Sequence, residues 1–387
     1  MKRIMLVICV VLVVFLPLAV NATDGNGRSR RQVVVDCNSR KLSKKAKRAC
    51  KAKAVRATIV ARRRLEEARR RAILAETLLK KTASENISKD NSVGEDLSIR
   101  KIVIDAIGDN AATAIVMETQ TGKILTAVNQ DWAYRKAFPP CSTIKLITTV
   151  AGLNEDIIDE DDETSQEDLQ NALARSQNSY FQKVGSDIGY PKLIATAKEF
   201  GLGEPTGINT SGESAGKLPQ LVKKTALVYS HGYGFEISPL QQAVMVSAIT
   251  NHGKKVTPFI MPKSGIDPVT KIHIEQVNLP VEDLDGVIPG MKGAAEYGTA
   301  HLGVDFRQGV AGKTGTCSAT GTFTSVAPID SPKYTVVVVI RGRFGKGRYA
   351  SAIAGKIYQA LLGPPTPATS AQDTTKPEPT PLANNQH

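Results

Sequence analysis

The run YTVVVVI, at residues 334–340, constrains the fold of this 387-residue chain more than any other segment does. Six of its seven residues are β-branched and none is charged. β-branched side chains pack well on a pleated surface, and a short apolar run of this kind is typical of a strand buried on both faces of a sheet. The sequence therefore predicts a buried central strand at this point.

The segments on either side of this strand predict an antiparallel sheet. ATAIVME (112–118) and KILTAV (123–128) flank a Gly-containing turn, as in a β-hairpin. RYASAIAGKIYQALL (348–362) is typical of an amphipathic helix, and helical patterns fill the middle of the chain as far as Phe200. We therefore predict an α/β (α+β) fold whose first and last segments share an antiparallel sheet, with a second, all-helical lobe between them.

Residues 1–22 are typical of an export signal. Lys2 and Arg3 precede an apolar run from Ile4 to Val20, and small residues follow it. The run is also close to the length of a membrane span, so cleavage and retention as an anchor both remain open. In either case we predict a location in the periplasm or on the outer face of the cytoplasmic membrane.

Cysteine usage agrees with export, because oxidising compartments allow disulfides. Removal of Cys9 with the signal would leave an even set of four cysteines. They can form two disulfides in three connectivities: Cys37, Cys50, Cys141 and Cys317.

Basic charge is concentrated between Arg40 and Lys81. This segment holds 17 basic and 3 acidic residues, a net charge of +14, whereas the whole chain carries +13. It lacks Gly and Pro, and small or apolar residues recur on one helical stripe, so we predict a helix over Ser43–Lys81. Residues 40–81 would either bind an anionic membrane surface or wall polymer, or serve as a solvated linker. Export and the lack of aromatic stacking residues exclude nucleic acid as a partner.

Three short motifs carry the candidate chemistry, and each contains a residue suited to acyl transfer. They occur in the order Ser142-Thr143-Ile144-Lys145, Ser176-Gln177-Asn178 and Lys313-Thr314-Gly315. Two decoys match the first two patterns, Ser98 to Lys101 and Ser84 to Asn86, but they lie in a polar region and in the wrong order.

The first motif suits nucleophilic catalysis. Ser142 at a helix N-terminus would lie near free backbone amides, and Lys145, one turn later, would share its face. A lysine can take the serine proton only as a neutral amine. Burial and a second cation, Lys313, would both lower its pKa.

The order of the motifs resembles the transpeptidase domain of penicillin-binding proteins, in the superfamily that includes the serine β-lactamases. The resemblance extends over residues 101–363. It includes the blocks ALARSQNSYFQKVG (172–185), GLGEPTGI (201–208), HGYGFEISPLQQA (231–243), GTA (298–300) and VAGKTGT (310–316).

The resemblance implies a five-stranded antiparallel sheet flanked by helices and an acyl-enzyme on Ser142, formed from a D-Ala-D-Ala stem peptide or a β-lactam. Ser176 would relay a proton, and Asn178 would hold Lys145 and the substrate amide. A substrate carboxylate would bind Lys313, Thr314 and Thr316, with Gly315 allowing a close approach. Backbone amides of Ser142 and Thr316 would form the oxyanion hole. No cofactor or metal is implied.

Resemblance to some class A carbapenemases also implies a disulfide between Cys141 and Cys317. Cys37 and Cys50 would then pair or remain free. Only 34 residues separate Ser142 from Ser176, fewer than is usual in the family, and the acidic loop 154–168 occupies this space. The predicted organisation is a signal or anchor (1–22), a basic helical stalk and linker (23–100), the transpeptidase domain (101–363) and a disordered tail (364–387).

Three functions remain open from the sequence. The first is a D,D-transpeptidase, which passes the acyl group to an amine, or a D,D-carboxypeptidase, which passes it to water. A serine β-lactamase would need rapid deacylation, and no Glu-x-x-Leu-Asn water activator occurs between Asn178 and Lys313. A penicillin sensor or wall-binding protein that acylates only once is the third possibility.

Overall fold

The computed structural model describes residue 37 and residues 43–159, 162–220, 225–262 and 272–364. The predicted signal or anchor, and the predicted disordered tail after residue 364, lie outside the described residues. The chain divides into two compact units, Met1–Arg71 and Ala72–His387. Among the described residues, no helix has the length and apolar character needed to cross a membrane.

The first unit contains most of a long basic helix, α1 (Lys44–Ser88), whose residues from Ala72 onward belong to the second unit. A disulfide joins Cys37 to Cys50 near its start. The predicted helix over Ser43–Lys81 is therefore present, but it continues for another two turns. The alanine-rich stripe in the first unit is exposed, in agreement with its small apolar area.

A five-stranded antiparallel sheet forms the centre of the second unit, in the order β2-β1-β7-β6-β5. The predicted central strand is β7, and its Val337 pairs with β1 on one side and β6 on the other. The predicted hairpin is β1 and β2. The five strands are β1 (Ala112–Glu118), β2 (Ile124–Val128), β5 (Ala311–Cys317), β6 (Thr320–Ala327) and β7 (Tyr334–Arg341). A separate two-stranded sheet pairs β3 (Lys254–Val256) with β4 (Ile274–Gln276).

Helices cover both faces of the sheet. One apolar cluster joins the sheet to α2 (Leu97–Ile107) and α12 (Gly347–Leu362), and another joins it to α9 (Pro239–Thr250). Three short helices also belong to this unit: α3 (Gln130–Tyr134), α10 (Val281–Asp285) and α11 (Ile288–Glu296).

The predicted helical lobe consists of five consecutive helices, and no strand interrupts them among the described residues of this stretch. Their apolar side chains form the largest cluster of the core. The helices are α4 (Lys145–Asn154), α5 (Glu163–Ala174), α6 (Asn178–Ile188), α7 (Tyr190–Glu199) and α8 (Leu227–His231).

The last part of the predicted stalk and linker (23–100) contains a buried cluster of charged residues next to the sheet. Buried Arg100 forms salt bridges with Asp90 at 2.7 Å and Glu95 at 2.8 Å. Both carboxylates also accept hydrogen bonds from the backbone of residues 127–130. One guanidinium pairs with two carboxylates, and backbone hydrogen bonds offset the remaining cost of burying them, so a polar composition concealed a buried cluster.

Candidate active site

Ser142 lies in a 3-10 turn, Cys141–Ile144, that leads directly into α4 at Lys145. The serine is therefore near the start of a continuous helical segment, as predicted, although its first turn is tighter than an α-helix. Lys145 is fully buried, whereas Ser142 is partly exposed. A buried amine beside an accessible hydroxyl is the arrangement that general-base activation of a serine requires.

The Lys145 amine joins the first two motifs. Its Nζ atom donates to Ser176 O at 2.8 Å, to Ser176 Oγ at 2.9 Å and to Asn178 Oδ1 at 2.7 Å. A longer contact of 3.4 Å connects it to Ser142 Oγ. The ring of Phe181 lies 5.4 Å away. The amine is therefore held within reach of the hydroxyls of Ser142 and Ser176, which are 34 positions apart in the sequence.

Burial lowers the pKa of Lys145 to about 7. Removing an ammonium group from water disfavours its charged form, so a large fraction of this lysine is a neutral base near neutral pH. The sequence predicted this direction, and burial is the main cause. Repulsion from Lys145 acts on the other lysine of the site, Lys313.

Ser176 adopts a left-handed backbone conformation, with φ of 57°, between the end of α5 and the start of α6. This conformation is unusual for a residue other than glycine and commonly marks functional sites. It directs both the carbonyl oxygen and the hydroxyl of Ser176 at the Lys145 amine. Asn178, two residues later, completes the set from the first turn of α6.

The third motif lies on β5, the strand at one edge of the sheet. An edge strand has backbone amides that the sheet does not use, so it can bind a ligand. Gly315 faces the nucleophile's segment, and a Cβ atom there would lie 2.7 Å from Pro140 O and 2.6 Å from Thr322 Cγ2. Only glycine allows this strand to approach the residues preceding Ser142 so closely.

Lys313 is fully buried, and its Nζ donates to Thr314 O at 3.0 Å. Burial, followed by repulsion from Lys145, lowers its pKa well below the usual value. Lys145 has three close oxygen acceptors, whereas Lys313 has one recorded acceptor among the described residues. The site therefore accommodates one ammonium more readily than two, and an anion beside Lys313 would favour its charged form.

Thr299 is a site residue for which the sequence suggested no specific role. Its hydroxyl accepts from Thr314 Oγ1 at 2.6 Å, and its amide donates to Ala174 O at 3.1 Å. Thr299 thus links the third motif to the helix that precedes Ser176. The GTA block, residues 298–300, was the only sequence signal for it. Thr316 is exposed, and its Oγ1 accepts from Gly347 N at 2.8 Å.

A disulfide joins Cys141 to Cys317, the pairing that the resemblance implied. Cys141 immediately precedes the nucleophile and has a positive φ of 55°. Cys317 is the last residue of β5, so the bond connects the Ser142 turn to the strand that carries Lys313. The bond is therefore placed to maintain the separation between Ser142 and β5.

Loss of this bond should affect both stability and labelling by a fluorescent penicillin. We expect the double variant Cys141→Ser/Cys317→Ser to lose about 2–5 kcal/mol of unfolding free energy, because the bond closes a loop of 176 residues. Displacement of Ser142 should slow acylation by roughly 10- to 100-fold. Denaturant titration and labelling kinetics measure the two effects.

The other disulfide provides the matched control. Cys37→Ser/Cys50→Ser removes a bond with a sequence separation of only 13 residues in the first unit. We expect its labelling rate to equal that of the wild type. Equal labelling rates for both double variants would contradict a positioning role for the Cys141–Cys317 bond.

The two decoy motifs lie outside this arrangement. Lys101 is exposed and forms a salt bridge with Asp105 at 2.7 Å, so its amine is paired in solvent instead of buried beside a serine. Asn86, on α1, donates to Asn129 at 3.0 Å. Across the described part of the chain, no group of three or more His, Cys, Asp or Glu side chains is arranged to hold a metal ion.

Comparison with known proteins places this geometry in a family. The family model "Penicillin binding protein transpeptidase domain" matches residues 112–363. Stage V sporulation protein D of Bacillus subtilis is 27% identical over 60% of this chain and 43% of its own length. Peptidoglycan D,D-transpeptidase FtsI of Escherichia coli is 24% identical over 65% of this chain and 50% of its own length.

Solved structures show the same fold. Penicillin-binding protein 3 of Mycobacterium tuberculosis, in its complex with aztreonam, superimposes with a TM-score of 0.55 at 18% identity, over 71% of this chain and 79% of that one. The chain spans about half the length of the curated relatives it matches. The family model covers well over half of the chain, and the sheet order and helices agree with the fold. This chain belongs to the penicillin-binding protein transpeptidase domain family.

Proposed function

We propose that residues 101–363 act on peptidoglycan stem peptides as a serine D,D-transpeptidase or D,D-carboxypeptidase, and that Ser142 is acylated by β-lactams. The observation that carries this proposal is the position of the Lys145 amine. It is buried and in contact with Ser142, Ser176 and Asn178 at once. The names of the curated relatives support the same reaction.

Acylation would proceed through proton transfer to Lys145. Ser142 Oγ attacks the carbonyl carbon of the D-Ala-D-Ala amide as Lys145 Nζ takes its proton. The backbone amides of Ser142 and Thr316 would stabilise the oxyanion of the tetrahedral intermediate. The C–N bond then breaks, and the proton passes by way of Ser176 Oγ to the departing amine of D-Ala. An ester on Ser142 remains, and an amine or water accepts the acyl group.

The terminal carboxylate of the substrate would bind beside β5. Lys313 supplies positive charge, Thr316 supplies a hydroxyl group, and Thr314 acts through Thr299. Because Thr314 donates its proton to Thr299, the Thr299 hydroxyl has a proton left to donate to a carboxylate. The anion favours the ammonium form of Lys313. That charge in turn favours the neutral form of Lys145, so substrate binding prepares the base.

Labelling with a fluorescent penicillin tests this function. We expect the purified full-length chain to form a covalent adduct that survives denaturing electrophoresis and persists for many minutes. Loss of label within seconds would indicate a β-lactamase instead. If folded protein takes up no label, the proposal is wrong.

The labelling rate should depend on pH through the base. Since the pKa of Lys145 is about 7, its neutral fraction rises from about 10% at pH 6 to about 90% at pH 8. We therefore expect the rate of acylation to rise severalfold between these pH values and then level off. Stopped-flow labelling at constant ionic strength measures the profile. A rate that is flat from pH 6 to 8 would exclude Lys145 as the base with this pKa.

We also propose that the chain is exported and that residues 40–81 bind an anionic surface. The two disulfides support an oxidising compartment. In α1 the triplets Arg62–Arg64 and Arg69–Arg71 repeat after seven residues, so each spreads its charges around much of the helix. All six arginines are exposed. Such a helix attracts anionic lipid or anionic wall polymer.

Replacement of the six triplet arginines by glutamine should weaken this binding at least tenfold at low salt, because each contributes up to about 1 kcal/mol near an anionic surface. Co-sedimentation of the full-length chain with phosphatidylglycerol vesicles, and separately with purified wall polymer, distinguishes the two ligands. Vesicles of phosphatidylcholine alone are the control. Binding that is unaffected by the substitutions would contradict the proposal.

A further inference from the structure

The HGYG sequence at the start of the HGYGFEISPLQQA block lies beside the nucleophile. It begins at His231, the last residue of α8, which packs against α4, α6 and the 3-10 turn of Ser142. Gly232 follows in a left-handed conformation, and a Cβ atom there would lie 2.5 Å from Pro140 Cγ and 3.4 Å from Cys141 O. The loop is thus pressed against the two residues that precede Ser142.

A hydrogen-bond chain fixes the His231 ring. Gln182 Nε2 donates to Ser230 Oγ at 3.1 Å, and Ser230 Oγ lies 2.8 Å from His231 Nδ1. The Ser230 hydroxyl has one proton to donate, and His231 Nδ1 is closer to it than Ala226 O at 3.4 Å. On this distance we assign Nδ1 as the acceptor, and this assignment places the proton of the neutral ring on Nε2.

The first residue of this hydrogen-bond chain, Gln182, lies on α6, the helix whose Asn178 accepts a hydrogen bond from Lys145. Gln182 is one turn beyond Asn178 on α6, and Ser230 is fully buried. His231 itself is partly exposed, and no hydrogen-bond partner of its Nε2 is recorded among the described residues. Burial and the nearby charge of Lys145 lower the pKa of His231, which keeps the ring neutral. An N–H group held by these hydrogen bonds thus lies on the short helix that packs against the Ser142 turn.

We propose that His231 is a further substrate-positioning residue: its Nε2–H donates to a carbonyl or carboxylate oxygen of the bound acyl donor. This inference rests on the proposed function, because it concerns the same site. Gln182 and Ser230 hold the ring and do not contact the ligand. The His231 hydrogen bond would mainly affect the affinity for the ligand, because Ser142 and Lys145 carry out the acylation.

Replacing His231 by glutamine or by asparagine distinguishes a hydrogen bond to the ligand from a hydrogen bond to Ser230. Glutamine places its amide nitrogen where Nε2 lies, whereas asparagine retains a polar group at the Nδ1 position and can still pair with Ser230. We expect His231→Gln to label with fluorescent penicillin within about threefold of the wild-type second-order rate. His231→Asn and His231→Ala should each lose on the order of tenfold, the effect of one hydrogen bond. The loss should appear in the apparent dissociation constant and not in the limiting rate.

The exposed histidine at position 252, which contacts Asp285, is the matched control, and His252→Asn should label like the wild type. Melting temperatures of all variants identify any loss of folding. Rescue by asparagine but not by glutamine would show a purely structural role and overturn the inference, as would equal labelling of all variants. A wild-type chain that takes no label would contradict the proposed function together with this inference.

Discussion

Ser142→Ala should abolish labelling by fluorescent penicillin, with the rate falling at least about 10⁴-fold. The substitution removes the atom that would form the ester, and no other hydroxyl replaces it, because Ser176 is held by its hydrogen bond to Lys145. The effect on folding should be small. Ser142 Oγ makes one long contact, 3.4 Å from Lys145 Nζ, and the side chain is partly exposed. Mass spectrometry of the intact protein after incubation with penicillin measures the adduct directly.

Ser98→Ala is the matched control, because Ser98 and Lys101 have the same spacing on a helix. Ser98 lies in the first turn of α2, and Lys101 is exposed. This variant should label at the wild-type rate. A penicillin adduct on the Ser142→Ala protein, mapped by peptide digestion to another serine, would refute the assignment of the nucleophile.

Lys145→Arg should be almost as damaging, although it keeps a basic side chain. Arginine stays protonated in proteins, so it cannot take the proton of Ser142 as the neutral amine of Lys145 can. We expect the acylation rate to fall by about 10²- to 10⁴-fold, the contribution of a general base. The larger guanidinium must also fit a fully buried site beside Phe181, so some loss of stability should accompany it.

Lys145→Ala separates the loss of the general base from the steric loss of stability. It removes the base and the buried charge together, and it should be as slow in acylation as Lys145→Arg while avoiding the steric clash. Lys101→Arg, on the exposed decoy, should change neither stability nor rate. An arginine variant that acylates at the wild-type rate would mean that another group accepts the proton.

The strands and the sheet were predictable from the sequence because their signals are local. The β-branched run at 334–340 became β7 in the middle of the sheet, and the hairpin at 112–128 became β1 and β2. The helix predicted at 348–362 is α12. The packing of residues 90–100 could not be predicted, for the opposite reason. Arg100 pairs with Asp90 and Glu95 in a buried cluster, and pairing of this kind has no local sequence pattern.

The sequence by itself determined which residue types were available: three motifs in order, a nucleophile with a lysine one turn away, and four cysteines. Motif order already favoured Ser142 over Ser98, and the tertiary structure supplied the physical difference: it buried Lys145 among oxygen acceptors and left Lys101 beside Asp105 in solvent. It also brought Cys317 to Cys141, and Gly232, the residue after His231, to the turn that carries Ser142. Burial and proximity depend on how distant segments pack, and these two quantities determine whether a serine and a lysine can react.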